Sequence, residues 1–148
     1  MIIVMTTEPH LLDLNVLIAL AWPQHVHHAR AHAWFGGLQG PWMTTPVTEA
    51  GFVRLSTNPA VVTERITMPH ALGMLAAMRS VSGHVFLPDS SSLAVPVIAL
   101  DAVATSRHVT DAHLVNLAAS SGALFATLDR GIERMLAAAD RTHVMVLP

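Results

Sequence analysis

The chain has 148 residues, of which 52% are apolar and only 12% charged, and it contains no cysteine. That balance excludes a disordered chain, and the missing thiols exclude a disulfide framework, a thiol nucleophile and any cysteine-ligated zinc or iron–sulfur centre. All eight basic residues are arginine and the net charge is -2, so nucleic acid would have to be met by dispersed arginines, some of the ten histidines, or a metal.

In chain order, His10 to Leu14 is an apolar run that predicts a buried strand, and Asn15 to Trp22 a short helix stopped by Pro23. Gln24 to Leu38 reads as a second helix, with Val26, Ala29, Ala33 and Trp34 at helical spacing and Gly36, Gly37, Gly40 and Pro41 ending it. Trp42 to Thr44 is a strand leading into Thr45-Pro46, where an N-cap threonine and a first-turn proline start a helix to about Ser56, closed by Asn58-Pro59. Thr67-Met68-Pro69 repeats that signal for a helix from Pro69 to Val81, and His84 to Leu87 is a strand before Pro88. Ser90 to Ser106 reads as helical in spite of Pro96, with Asp89 as its N-cap and Asp101 within it. Thr110 caps a helix from Asp111 to Ser121, Gly122 takes the C′ position and Ala123 to Thr127 is a strand. A helix around Ile132 to Ala139 and a strand from Val144 to Leu147 complete the series. Strands alternating with helices predict an α/β sandwich around a largely parallel sheet. Nine prolines spread as punctuation, with no repeat or linker, predict one domain over residues 1–148.

The longest apolar runs are interrupted before the ~18–20 residues that a membrane span needs. Leu11 to Trp22 contains Asp13 and Asn15, and Leu93 to Ala104 contains Pro96 and Asp101. Met1 to Thr7 lacks the basic leader and small-residue cleavage site of a signal peptide, so a cytoplasmic chain is expected.

Ten acids are few for this length, and several sit in apolar surroundings. Asp13 interrupts the first apolar run; a carboxylate there must be hydrogen-bonded, protonated or paired with a cation, or it caps the following helix. Glu49 and Asp111 fall near helix N-termini, where an acid favours the macrodipole whatever else it does. Asp129 follows a strand and precedes Gly131, a position that a turn residue also fills. Together, however, two strand ends and two helix starts would bring all four to one crevice of a parallel sheet. Carboxylates so crowded stay ionised only around a divalent cation, and oxygen-only ligation selects Mg²⁺ or Mn²⁺ over zinc. Such a site is the usual apparatus of phosphoryl chemistry.

The segments Asp13 to Leu20 (DLNVLIAL), Thr48 to Leu55 (TEAGFVRL), Thr110 to Ala118 (TDAHLVNLA) and Ala126 to Gly131 (ATLDRG) resemble, in order, the four acidic motifs of PIN-domain ribonucleases. Within that family they are most similar to the VapC-type toxins of bacterial toxin–antitoxin pairs. The resemblance implies a three-layer α/β/α sandwich with a central, mainly parallel sheet, and a Mg²⁺- or Mn²⁺-dependent endoribonuclease. In-line attack of a metal-activated water would leave a 5′-phosphate and a 3′-hydroxyl. Asp13, Glu49, Asp111 and Asp129 take the metal-binding positions, Asp13 and Asp111 most directly, Glu49 and Asp129 directly or through bound water. Asn15 and Thr127 match polar positions beside the acids, where they would orient a carboxylate or water or cap a helix or turn. Arg54, Arg107 and Arg130 are candidate RNA contacts, or ordinary surface arginines. The implied partners are RNA, a VapB-type antitoxin and a second copy of the chain. Met1 to Pro9 precede the first motif, a longer lead than the family commonly carries.

A competing site is the histidine cluster His25, His27, His28 and His32. On a continuous helix His25, His28 and His32 share a face at i, i+3 and i+7, a spacing that suits zinc, nickel or copper. A solvated helix face is the other reading, and contact with RNA by stacking or through phosphate a further one. The chain has no nucleophile elbow, phosphate-binding glycine loop or dinucleotide fingerprint. A third possibility is a non-catalytic interaction module, to which a mean hydropathy of +0.49 is suited.

Overall fold

The computed structural model describes residues 7–62, 66–101 and 103–148. Strands β1 (His10–Leu12), β2 (Trp42–Thr44), β3 (His84–Phe86), β4 (Leu124–Thr127) and β5 (Val144–Val146) form a five-stranded sheet in the order β3-β2-β1-β4-β5, with every neighbouring pair parallel. Parallel neighbours cannot be joined by a tight turn, so helices make most of the crossovers. These are α1 (Leu14–Ala21), α2 (His28–Gly36), α3 (Pro46–Ser56), α4 (Met68–Arg79), α5 (Val109–Ser120) and α6 (Arg130–Met135). The chain runs outward from β1 through β2 to β3, then crosses to the other side of β1 for β4 and β5. The strand order therefore reverses between β1 and β4, and the crevice beyond the carboxyl ends at such a point is where open α/β sheets bind ligands.

Alternation along the strands sorts side chains onto two faces. Leu11, Met43 and Phe125 pack with Leu114, Leu117 and Ile132 from α5 and α6. Leu12, Trp42 and Ala126 pack with Val16, Leu17 and Phe52 from α1 and α3. A helical layer on each face of the sheet is the three-layer arrangement that the motifs imply.

The start signals at Thr45 and Thr67 hold. The Thr45 amide donates to Thr48 Oγ1 at 3.1 Å, and the Thr45 hydroxyl donates to the Leu87 carbonyl at 2.8 Å, fastening the start of α3 to the end of β3. Thr67 Oγ1 accepts from the His70 amide at 3.3 Å.

Other expectations are corrected. β1 stops at Leu12 because Asp13 already serves as the N-cap of α1. The second helix begins at His28, not Gln24: after Pro23 the chain makes turns, with the His25 amide bonded to the Trp22 carbonyl and the His28 amide to the His25 carbonyl, each at 3.0 Å. No helix spans 90–106 among the described residues; only Ser106–His108 forms a 3₁₀ turn. Pro96 offers no amide, and neighbouring amides bond to distant side chains, Val97 to Asn116 Oδ1 and Ala99 to Asp140 Oδ2, both at 2.8 Å. Asp89 is thus no helix cap and pairs with His113 Nε2 at 2.7 Å, while Asp101 lies in a turn. Helix α5 starts at Val109 with His108 at the N-cap, so Thr110 is inside its first turn. The last helical stretch divides into α6 and a 3₁₀ helix, Ala138–His143, at extended Leu136.

Candidate active site

Asp13 leaves β1 in extended conformation at the N-cap of α1, yet its side chain closes no cap bond. Its carboxylate, 6% exposed, instead accepts from the Thr127 hydroxyl at 2.7 Å on Oδ2. Burial pushes its pKa up to about 7; the Thr127 hydroxyl and the Leu14 amide pull it down, while the charges of Asp111 and Asp129 raise it further. Thr127, the last residue of β4, also accepts from Asn15 Nδ2 at 3.2 Å and from the Asp129 amide at 3.0 Å. Asn15 Oδ1 in turn accepts from the Leu128 amide at 3.2 Å. One turn of α1 and the β4–α6 turn are therefore locked together through Asn15 and Thr127, with Asp13 held at the lock.

Asp129 serves two ends. It caps α6, its Oδ1 accepting from the Gly131 amide at 2.8 Å, and it lines the same cavity as Asp13. Asp111, in the first turn of α5, is the third acid on that cavity, its pKa raised by burial and by Asp129, with His108 opposing. The cavity measures about 550 Å³ and opens at the reversal point between β1 and β4.

Glu49 is not brought to it. The residues of α3 that line the cavity include Thr48, Gly51 and Arg54, and Glu49 is off that stripe. Its side chain, 10% exposed, pairs at 3.4 Å with Arg79 from the last turn of α4, a contact outside hydrogen-bond geometry. Burial raises its pKa and Arg79 lowers it. The Arg79 guanidinium also lies 4.8 Å over the Phe86 ring, anchoring it on the β3 side of the sheet.

Of the arginines singled out from the sequence, Arg54 lines the cavity, whereas Arg107, just before α5, and Arg130, the first residue of α6, are exposed without lining it. The histidines separate. With α2 starting at His28, His25 no longer shares a helix face with His28 and His32. The His28 ring sits 4.3 Å from that of His32, and they hydrogen-bond to the carbonyls of Ala19 and Leu20 at 2.7 and 2.8 Å, tying α2 to the end of α1. That removes the geometric basis for a transition-metal site there. His25 instead lines the acidic cavity. Sequence reading missed the cavity's long wall, Leu14, Ile18 and Trp22, although their spacing of four marks one stripe of α1.

Among the described residues no three acids or histidines stand close enough together to hold a metal ion. Asp13, Asp111 and Asp129 thus share a cavity as separate carboxylates. Their donor chemistry fits a hard divalent cation: oxygen atoms only, with Asp111 and Asp129 raising the cost of ionising Asp13 and Asp129 that of Asp111.

No family model matches the chain. It is similar to a protein named Ribonuclease VapC39 from Mycobacterium tuberculosis, with 49% identity over 124 residues, 82% of this chain and 89% of that protein. It is also similar to Ribonuclease VapC38 of the same bacterium, 44% identical over 138 residues, 93% of this chain and 96% of the relative. Ribonuclease VapC44 is 36% identical over 124 residues, 82% of this chain and 87% of the relative.

Proposed function

The chain belongs to the VapC-type PIN-domain ribonucleases, the toxins of toxin–antitoxin pairs, and from that premise we propose that Asp13, Asp111 and Asp129 form its hydrolytic centre. It acts as an endoribonuclease, and its partners are RNA and a VapB-type antitoxin. What carries the assignment of the centre is the meeting of three aspartates from separate segments in one cavity at the reversal point of the sheet, with Thr127 bonded to Asp13.

Mg²⁺ or Mn²⁺ held by Asp13 and Asp111, with Asp129 in support and Glu49 left to Arg79, would supply the positive charge that polarises phosphate and activates water. Thr127 and Asn15 keep the Asp13 carboxylate in one orientation, so that no reorganisation is needed when substrate arrives. Arg54 on the cavity wall contacts phosphate, and the exposed Arg107 and Arg130 steer the RNA backbone toward the acids.

The same premise carries a homodimer and a cytoplasmic location. Met68 and Leu72, one turn apart on α4 and 52% and 50% exposed, offer apolar side chains for a second copy. None of the described helices is long and apolar enough to cross a membrane.

The test is incubation of antitoxin-free protein with total RNA and Mg²⁺ or Mn²⁺, beside an EDTA control and Asp13→Asn, with cut ends mapped by sequencing. Discrete, metal-dependent cuts lost in the variant are expected. Uncut RNA with either metal, or cuts that persist in Asp13→Asn, would overturn the assignment.

A further inference from the structure

The cavity is longer than phosphodiester hydrolysis requires. From Asp13 it follows α1 to Trp22, about 13 Å at the helical rise of 1.5 Å per residue. Leu14, Ile18 and Trp22 form one wall, and Gly51 and Leu55 of α3 face them. The helices approach so closely that a Cβ on Gly51 would come within 2.7 Å of Leu14 Cδ2. The far end is chemically unlike the near one: all three lining carboxylates follow from β1, β4 or the start of α5, whereas Gln24, His25 and Arg54 line the cavity where α1 and α3 finish.

This end is also held in place. The Trp22 indole N–H donates to Ser56 Oγ at 3.3 Å, and His28 and His32 clamp the turn that carries Gln24 and His25 against the end of α1. His25 Nδ1 accepts from the His27 amide at 3.1 Å, so the ring proton is on Nε2. Burial, with His27 and His28 nearby, keeps that ring below its usual pKa, hence a neutral hydrogen-bonding group.

An apolar slot, edged by an amide, an imidazole and a guanidinium and continuous with phosphate-cleaving acids, matches the chemistry of an unstacked nucleobase: flat apolar faces, a polar edge and an adjoining phosphate. We propose that this end of the cavity is a base-recognition subsite, in which a nucleobase splayed from a looped RNA beside the scissile phosphate packs on Ile18, Trp22 and Leu55. Gln24 and His25 read its edge, and Arg54 holds the neighbouring phosphate. The subsite rests on the ribonuclease assignment above and adds the element of substrate choice to it.

The experiment uses antitoxin-free protein and hairpin RNAs in which only the loop base beside the cut is varied. Wild type, Gln24→Ala, His25→Ala and His25→Gln are compared for KM and kcat, for thermal stability and for antitoxin affinity. Wild type is expected to favour one base by roughly tenfold to a hundredfold. The variants should lose that preference and raise KM for the favoured RNA, with kcat within about threefold and Tm unchanged. Cleavage with unaltered base preference in the variants overturns the subsite alone. So does a loss confined to antitoxin affinity, which would give the slot to the antitoxin. Wild-type protein that cuts none of the RNAs overturns the ribonuclease assignment and the subsite together.

Discussion

Asp13 is a single buried carboxylate whose protonation bears on stability and, in the centre proposed above, on activity. Its pKa rises from 3.8 to about 7, so between those values the folded protein holds a proton that the unfolded chain has released. The stability contributed by neutral Asp13 is therefore present at low pH and lost as pH rises through that window. Asp13→Asn removes the repelled charge while keeping an acceptor for Thr127; at pH 8 its Tm should exceed wild type by roughly 4–8 °C in calorimetry, as RNA cleavage falls to background. Thr127→Val strips a hydroxyl from Asp13, Asn15 and the Asp129 amide at once, and is expected to lower cleavage about tenfold to a hundredfold, with partial recovery in Thr127→Ser. His10 acts in the opposite sense. It is 2% exposed on β1, its Nδ1 has no partner among the described residues and burial holds its pKa below 6.5, so its contribution is complete above pH 6.5 and lost as pH falls below it. The drop in Tm from pH 7 to pH 5 should shrink in His10→Leu; an equal drop in both proteins would exclude His10 as a source. Asp13 was legible in the sequence as a break in an apolar run, Asp129 as the acid after a strand and Asp111 as an acid at a helix start. Glu49 carried the same helix-start signal as Asp111, and nothing near it in the chain announces that Arg79, from another helix, will pair with it. Glu49→Gln is accordingly expected to impair cleavage less than Asp13→Asn, measured on the same RNA.

At the scale of elements, local signals succeeded wherever the backbone satisfied itself locally. The threonine starts of α3 and α4, each followed by a first-turn proline, are bonded within one turn, and the strands alternate as their residues suggest. The helix expected over 90–106 failed for the converse reason: buried Ile98 and the amides beside it are satisfied by Asn116 and Asp140, far along the chain, and a window of sequence does not contain those partners. The histidine stripe failed with the helix start that it depended on, and two of its members became fasteners for α2. The pinned segment yields a direct expectation. Asn116 is fully buried, and Asn116→Ala frees the Val97 amide, so limited proteolysis within 88–101 should accelerate and Tm should fall by several degrees, as a buried hydrogen bond worth ~1–3 kcal/mol is lost. Unchanged cleavage in that segment would mean that Ile98 alone holds it.

For the molecule as a whole, alternation revealed the parallel sheet, but not its order, which depends on pairings between distant strands. Exposed Met68 and Leu72 on α4 predict association: light scattering should give twice the chain mass for wild type and the single mass for Leu72→Asp, with cleavage chemistry intact in both. The sheet order has one more effect, on timing. The bond from Thr127 to Asp13 closes a separation of 114 positions, and β1 acquires β4 as a neighbour only after α5 has been made. At ribosomal speed that separation is on the order of ten seconds of synthesis. Until then the nascent chain carries Asp13 without the hydroxyl that orients it and without Asp129. The centre proposed to cut RNA is therefore incomplete while the residues between Asp13 and Thr127 are being translated.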